Sequence, residues 1–255
     1  MCSSDLRYPS HGGFVELYRP FIDAFADRTR LRTEVVGVDL DAREVLTADG
    51  RIPYQDLVTT AVLGEFAAVC SPMPPRLRAA ALGLKHNSLY LVSLAVKPAA
   101  ADERHRIYVA DPDVPFHKLV LNSNSSPELR TAPAFGIQAE VSFSDHKQVS
   151  PAGLTEDVVD ALVAMGLLRS ADDVVESDLR TVEYAYPVQT SDTASVVAEL
   201  RDYLGRYGVH LAGRFAEWTY VNSDAAFQRG LDIGRRLRGP GPTPADTKGA
   251  GLTDV

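Results

Sequence analysis

Residues 89–96 constrain the fold most. Leu89, Leu91, Ser93 and Ala95 alternate with Tyr90, Val92, Leu94 and Val96, a period of two that suits a β-strand and no helix. Further strands are expected at 105–109, 117–121 and 137–143, so the block from about 86 to 144 reads as antiparallel sheet. Pro72, Pro74 and Pro75 punctuate the approach to it.

Upstream, Phe14, Leu17, Tyr18, Phe21, Ile22 and Phe25 recur at helical spacing. Pro20 should split or kink that helix by removing a backbone donor, and Gly12-Gly13 supply a flexible approach. Short β-prone runs at 33–38 and 44–48, the Asp49-Gly50 turn and a strand at 57–62 follow, suggesting a small sheet packed on the helix. Downstream, the spacing predicts helices over 155–168 and 192–207, the second ending at Gly208, with a strand at 179–186 between them. A strand-like run at 213–220 then leads through Asn222-Ser223-Asp224 into a helix over 224–237. Ala226, Gly230, Ile233 and Leu237 are its expected inward stripe, small enough at two positions for close helix packing. The tail 239–255, GPGPTPADTKGAGLTDV, has the composition of disorder.

The chain has 255 residues, 45% of them hydrophobic, enough for one large or two small domains. A net charge of −8 gives no electrostatic reason to expect a nucleic-acid partner. No stretch approaches a membrane span and the first residues lack a secretory apolar core, which predicts a cytoplasmic protein. Cys2 and Cys70 make no disulfide framework, and the six histidines form no metal-ligating pair, so no metal is expected. No GxGxxG or GxxxxGK[ST] phosphate loop occurs, and neither does a nucleophile elbow, a triad order or a paired-carboxylate spacing.

Five segments carry a resemblance. RYPSHGGFVELYRPFIDAF at 7–25 and LRTEVVGVDLDAREVLTADGRIPYQDLVTTAVL at 31–63 resemble the second nucleotide-contacting section of the flavin-dependent amine oxidase and protoporphyrinogen oxidase superfamily. FHKLVLNSNSSP at 116–127, YAYPV at 184–188 and GRFAEWTYVNSDAAFQRG at 213–230 look like the branch that includes UDP-galactopyranose mutase of the eukaryotic type. The resemblance runs from about residue 7 to 238 and implies an α+β architecture, an α/β remnant. It comprises part of an FAD-binding Rossmann-like domain (7–70), an antiparallel-sheet substrate domain with helices (71–190), and a return to the FAD domain with a flavin-contacting final helix (191–238). In that superfamily a βαβ unit with a Gly-rich turn grips the flavin pyrophosphate, and this sequence lacks it. The leading Met-Cys-Ser-Ser-Asp-Leu also resembles translated adapter DNA, which predicts an N-terminally truncated piece of a longer gene.

The resemblance assigns FAD contacts to Val35, Thr60, Gly213, Arg214, Ser223, Asp224 and Ala225. The start of the final helix could stabilise negative charge at N1 and O2 of a reduced flavin. Ser223 or Asp224 could equally be plain helix caps, and the charge of Asp224 would oppose an anionic flavin. Val35 would touch adenine through its main chain, or be an ordinary buried strand valine. Thr60 would border the pyrophosphate loop, or simply satisfy a local backbone group. On the substrate side, Arg214, Tyr220 and Tyr186 match positions that hold a diphosphate, for which a guanidinium fork and phenols are suited. Lys118 stands where that pattern has a second arginine, and Asn124 lies near the flavin, as do Asn122 and His117. Arg214 could instead pair with Glu217 or Asp224, and Tyr184, Tyr186 and Trp218 could be core aromatics. Asp145 and His146, adjacent on a strand, form no acid/base pair.

The implied function is an FAD-dependent oxidoreductase passing a hydride from a small-molecule substrate to flavin. The alternatives are a mutase-like isomerase of a sugar nucleotide, and an inactive cofactor-free fragment or binding module.

Overall fold

A computed structural model describes residues 8–97 and 103–238. The first six residues and the tail 239–255 lie outside the described residues. The strands, in chain order, are β1 (Val35–Asp39), β2 (Glu44–Thr47), β3 (Gly50–Pro53), β4 (Leu57–Thr59), β5 (Cys70–Ser71), β6 (His86–Val96), β7 (Arg106–Tyr108), β8 (Lys118–Leu121), β9 (Phe135–Phe143), β10 (Val174–Pro187) and β11 (Val209–Leu211). The α-helices are α1 (Arg19–Ala24), α2 (Leu63–Val69), α3 (Pro75–Leu82), α4 (Pro127–Arg130), α5 (Leu154–Ala164), α6 (Thr193–Gly205) and α7 (Ser223–Arg238). The chain divides into two compact units, one of residues up to Leu31 with Asn87–Ala185, the other of Arg32–His86 with the residues from Tyr186 onward.

The first unit is built on a five-stranded sheet of order β10-β6-β9-β8-β7. The long period-two run pairs antiparallel with β9 in unbroken register from Ser88↔Phe143 to Val96↔Phe135, and β8 pairs antiparallel with both β9 and β7. Because side chains alternate across the pleat, one set of Val92, Leu94, Val96, Leu119, Leu121, Ala139 and Val141 joins Leu154, Val158 and Leu162 of α5 in a dry core. Each large aliphatic side chain buried there contributes about 1.5–3 kcal/mol. Pro20 acts as expected: α1 opens with it in the first turn, flanked by separate 3₁₀ turns at Phe14–Leu17 and Ala26–Arg28. The apolar stripe of this segment is not covered as expected, since Phe14, Leu17, Phe21, Ile22 and Phe25 are each 44–50% exposed.

The second unit holds a sheet of order β3-β2-β1-β5, an antiparallel meander with β5 parallel to β1, and a separate parallel pair, β4 and β11. Helices α2, α3 and α6 supply Leu63, Phe66, Leu77, Leu200 and Leu204 to a core that also holds Val38, Leu40 and Trp218. Gly208 is required where it stands. Its φ is 75°, and a Cβ there would lie 2.7 Å from the Gln55 carbonyl oxygen, which would break the Leu57 N–H bond to the Gly208 carbonyl that starts the β4/β11 pair.

Three expectations need correction. Residues 213–220 are not a strand. Positive φ at Gly213 and Trp218, with bonds from Glu217 N to Gly213 O and from Thr219 N to Arg214 O, wind them into turns after β11. The supposed inward stripe of α7 buries only Ile233, because Gly230 is exposed with nothing within 4 Å of a built Cβ, and Leu237 is 40% exposed. Finally, β3 and helices α2 and α3 occupy stretches in which no element was expected. No helix among the described residues is long and apolar enough to cross a membrane.

Candidate functional site

Parallel strands end with their carboxyl edges together, the usual place for a ligand in an α/β sheet. β4 and β11 end side by side at Thr59 and Leu211, and Ala212 N donates to Thr59 O at 3.0 Å. Thr60 and Gly213 therefore leave the pair as neighbours in the backbone ladder. Thr60 is exposed, whereas Thr59 is buried and accepts from Ala61 N through its Oγ, so the locally satisfied threonine is Thr59. Val35 opens β1, and at 44% exposure it is not a core valine.

The loop after β11 carries the polar cluster. The Arg214 guanidinium lies over two phenol rings, 5.5 Å from the centroid of Tyr186 and 4.9 Å from that of Tyr220, and donates from Nε and Nη2 to the Val221 carbonyl at 3.2 and 2.8 Å. The two rings stack at 5.9 Å. Cation–π contact and a bidentate grip on one carbonyl fix the arginine's orientation. Glu217 is engaged elsewhere, accepting from Gly213 N at 3.0 Å and from Arg229 at 2.9 Å. Trp218 is a core aromatic, 2% exposed, with its indole N–H on the Lys85 carbonyl. Thus Arg214, Tyr186 and Tyr220 converge.

At the start of α7, Asn222, Ser223 and Asp224 are exposed, and the first intrahelical bond runs from Ala226 N to Asn222 O. The amides of Ser223, Asp224 and Ala225 precede it and have no intrahelical acceptor.

Lys118 and Asn124 belong to the other unit. Lys118 forms an ion pair across the β8/β9 register with Glu140, whose side chain is 9% exposed. Asn124 is buried and donates to the Arg104 carbonyl at 2.7 Å. His117 also faces Glu140, at 3.8 Å, but burial holds its imidazole below the ordinary histidine range. In the same unit a cleft of about 410 Å³ gathers Tyr8, Pro9, Gly13 and Phe14 of the Tyr-Pro-x-x-Gly-Gly segment with Asn122, Ser125 and Ser126. The two motif segments thus meet in space. Arg106 also lines the cleft and His105 stacks on Tyr8 at 5.6 Å; neither stands in a sequence motif. Burial pushes the Cys70 thiol up to about 12, which makes it an inert core group. Among the described residues no group of His, Cys, Asp and Glu could hold a metal ion.

The fold is an α+β architecture shared with several solved proteins of distant sequence. A crystal structure of reduced UDP-galactopyranose mutase matches with TM-score 0.83 at 20% identity, covering 91% of this chain and 52% of that one. A fatty acid isomerase from P. acnes, described as producing CLA, matches with TM-score 0.68 at 15% identity over 88% of this chain and 52% of its own. A protein assigned as a protoporphyrinogen oxidase from Exiguobacterium sp. 255-15 matches with TM-score 0.64 at 13% identity over 88% and 51%. The chain spans about half the length of these structures. No protein-family model matches the sequence.

Proposed function

We propose that this chain forms the substrate-facing part of a flavin-dependent enzyme acting on a diphosphate-bearing small molecule, a sugar nucleotide of the kind named by the mutase it resembles in fold. One observation carries this reading: Arg214, Tyr186 and Tyr220, expected from sequence to hold a diphosphate, come together in one cluster. A guanidinium already oriented by two rings binds an anionic oxygen with little further loss of side-chain freedom, and the phenol hydroxyls add donors.

The residues present fit FAD in part. The three amides at the start of α7 suit partial negative charge at the flavin N1/O2 edge, with Thr60 and Gly213 beside the carboxyl ends of β4 and β11 and Val35 offering main-chain groups to adenine. The Asp224 carboxylate opposes such charge, so the contact would be through backbone. FAD, when bound, supplies hydride acceptance or nucleophilic attack at N5. No GxGxxG turn occurs in this sequence to grip the pyrophosphate. A second reading, a hydride-transferring oxidoreductase without a diphosphate subsite, draws support from Lys118: with its charge spent on Glu140, one guanidinium instead of two cations is offered to a diphosphate. A cytoplasmic setting goes with either.

Titrating UDP and uridine into the purified chain by calorimetry tests the proposal. Saturable UDP binding, weakened about tenfold or more in Arg214→Ala and absent for uridine, is expected. Equal affinities for UDP and uridine would sink it. Adding FAD in parallel and reading thermal stability asks whether this chain alone retains the cofactor; no shift would favour a cofactor-free binding module.

A further inference from the structure

We propose that the cleft between α6, β11 and α7 is a binding site for a compact dianion of the phosphate class, separate from the Arg214 cluster and tied to it through Glu217. The cleft, about 480 Å³, is lined by Arg201 and Gly205 of α6, Val209, His210 and Leu211 of β11, Glu217, and Arg229 and Arg236 of α7. Three arginines line it with a single acidic residue, an excess of two positive charges in a chain whose net charge is −8. Like charges gathered in one concave site repel, unless an anion offsets them.

The second, independent observation concerns Arg229. Its Nη1 donates to Glu217 Oε1 at 2.9 Å, but its Nε–H is buried with no acceptor. A buried charged donor left unsatisfied is costly, and the side chain, 36% exposed, has further N–H donors beyond the Nη1 given to Glu217 with which to meet an oxyanion. His210 also lines the cleft, but its Nε2 is held by Asp56 at 2.8 Å, so the arginines carry the recognition. Glu217 links this cleft to the loop before α7: its other oxygen accepts Gly213 N at 3.0 Å, one residue before Arg214. An anion that draws Arg229 away from Glu217 therefore loosens the turn that presents Arg214.

The experiment uses the whole chain. Inorganic phosphate, sulfate and glucose 1-phosphate are titrated separately at constant ionic strength, reading calorimetric heat and the fluorescence of Trp218, which follows Glu217 directly. Saturable binding with a change in Trp218 emission is expected, weakened about tenfold or more in the double variant Arg201→Gln/Arg236→Gln. Arg235→Gln, which removes a charge paired with Asp232 outside the cleft, should bind as the parent does. Arg229→Lys keeps a cation beside Glu217 but loses the fork, and should also weaken binding. A preference for phosphate and sulfate alone assigns a free inorganic anion; a preference for glucose 1-phosphate assigns a phosphorylated metabolite. No saturable binding, or equal loss in Arg235→Gln and in the double variant, overturns the proposal. UDP binding sensitive to Arg214 would survive that failure, so the two readings fall separately.

Discussion

Lys118 and Arg214 carry the same charge and are held in unlike ways. Lys118, on the long sheet, gives its ammonium to Glu140, a carboxylate buried on the neighbouring strand. Arg214, in the turns after β11, lies over two phenol rings and donates to the Val221 carbonyl. A cation matched with a buried carboxylate serves the fold. The motif put both on the substrate side, Arg214 as a match and Lys118 as a departure from a second arginine, and packing separates them further.

The largest effect should come from breaking the first of these arrangements. Glu140→Gln leaves the Lys118 ammonium, whose side chain is 15% exposed, without its counter-charge, and should cost about 3 kcal/mol in urea unfolding. The double variant Lys118→Met/Glu140→Leu should recover most of that loss, because a buried pair replaced whole by apolar groups is close to neutral. A single variant as stable as the parent would mean that the pair contributes nothing and that Lys118 is available after all.

The converse change at Arg214 should be read in binding more than in stability. Arg214→Ala gives up two ring contacts and a backbone bond at a part-buried site, worth about 1–2 kcal/mol of folding free energy. Its UDP affinity should fall by about tenfold to a hundredfold. If stability collapses while affinity in the residual folded fraction is unchanged, the cluster is a structural tie.

His117 sharpens the comparison by pH. Burial holds its folded pKa below the ordinary value, with Glu140 working in the opposite direction. Below about pH 6.5 the unfolded chain therefore takes up a proton that the folded chain refuses. The stabilisation due to His117 is present at neutral pH and is lost as pH falls toward the depressed pKa. Melting temperatures taken from pH 7.5 to 5.5 should decline less steeply in His117→Asn than in the parent; identical slopes would show that the ring is not held neutral by its surroundings.

How far the sequence could be read follows from which forces act locally. The period-two run became β6, and the aliphatic runs of α5 and α6 fell within a residue or two of expectation at their starts, because one buried face per element writes itself into spacing. The turn of 213–220 did not, since an aromatic-rich stretch looks β-prone until Gly213 and Trp218 adopt positive φ. Helices α2 and α3 are short, and their small residues and prolines mask any period; Gly64 in α2 would bring a Cβ to 2.9 Å from the Ala81 carbonyl oxygen, a packing constraint invisible in one dimension. At the site, the motif positions of Arg214, Tyr186 and Tyr220 were legible, but Glu217 and Glu140 were not, since their roles depend on partners 12 and 22 residues away.

The smallest expected effect lies at the start of α7. Asp224 occupies the first turn, where a carboxylate favours the helix dipole, so Asp224→Asn should lower stability by about 0.5 kcal/mol. The same change removes the negative charge that competes with any anionic group at the amides of Ser223, Asp224 and Ala225. If those amides face a ligand, the variant should bind reduced flavin more tightly even as it melts earlier. If Asp224 is only a helix-end charge, stability falls and flavin affinity stays where it was. The two observables move in opposite directions in the first case alone, which separates a dipole partner from a flavin neighbour although either shift is modest.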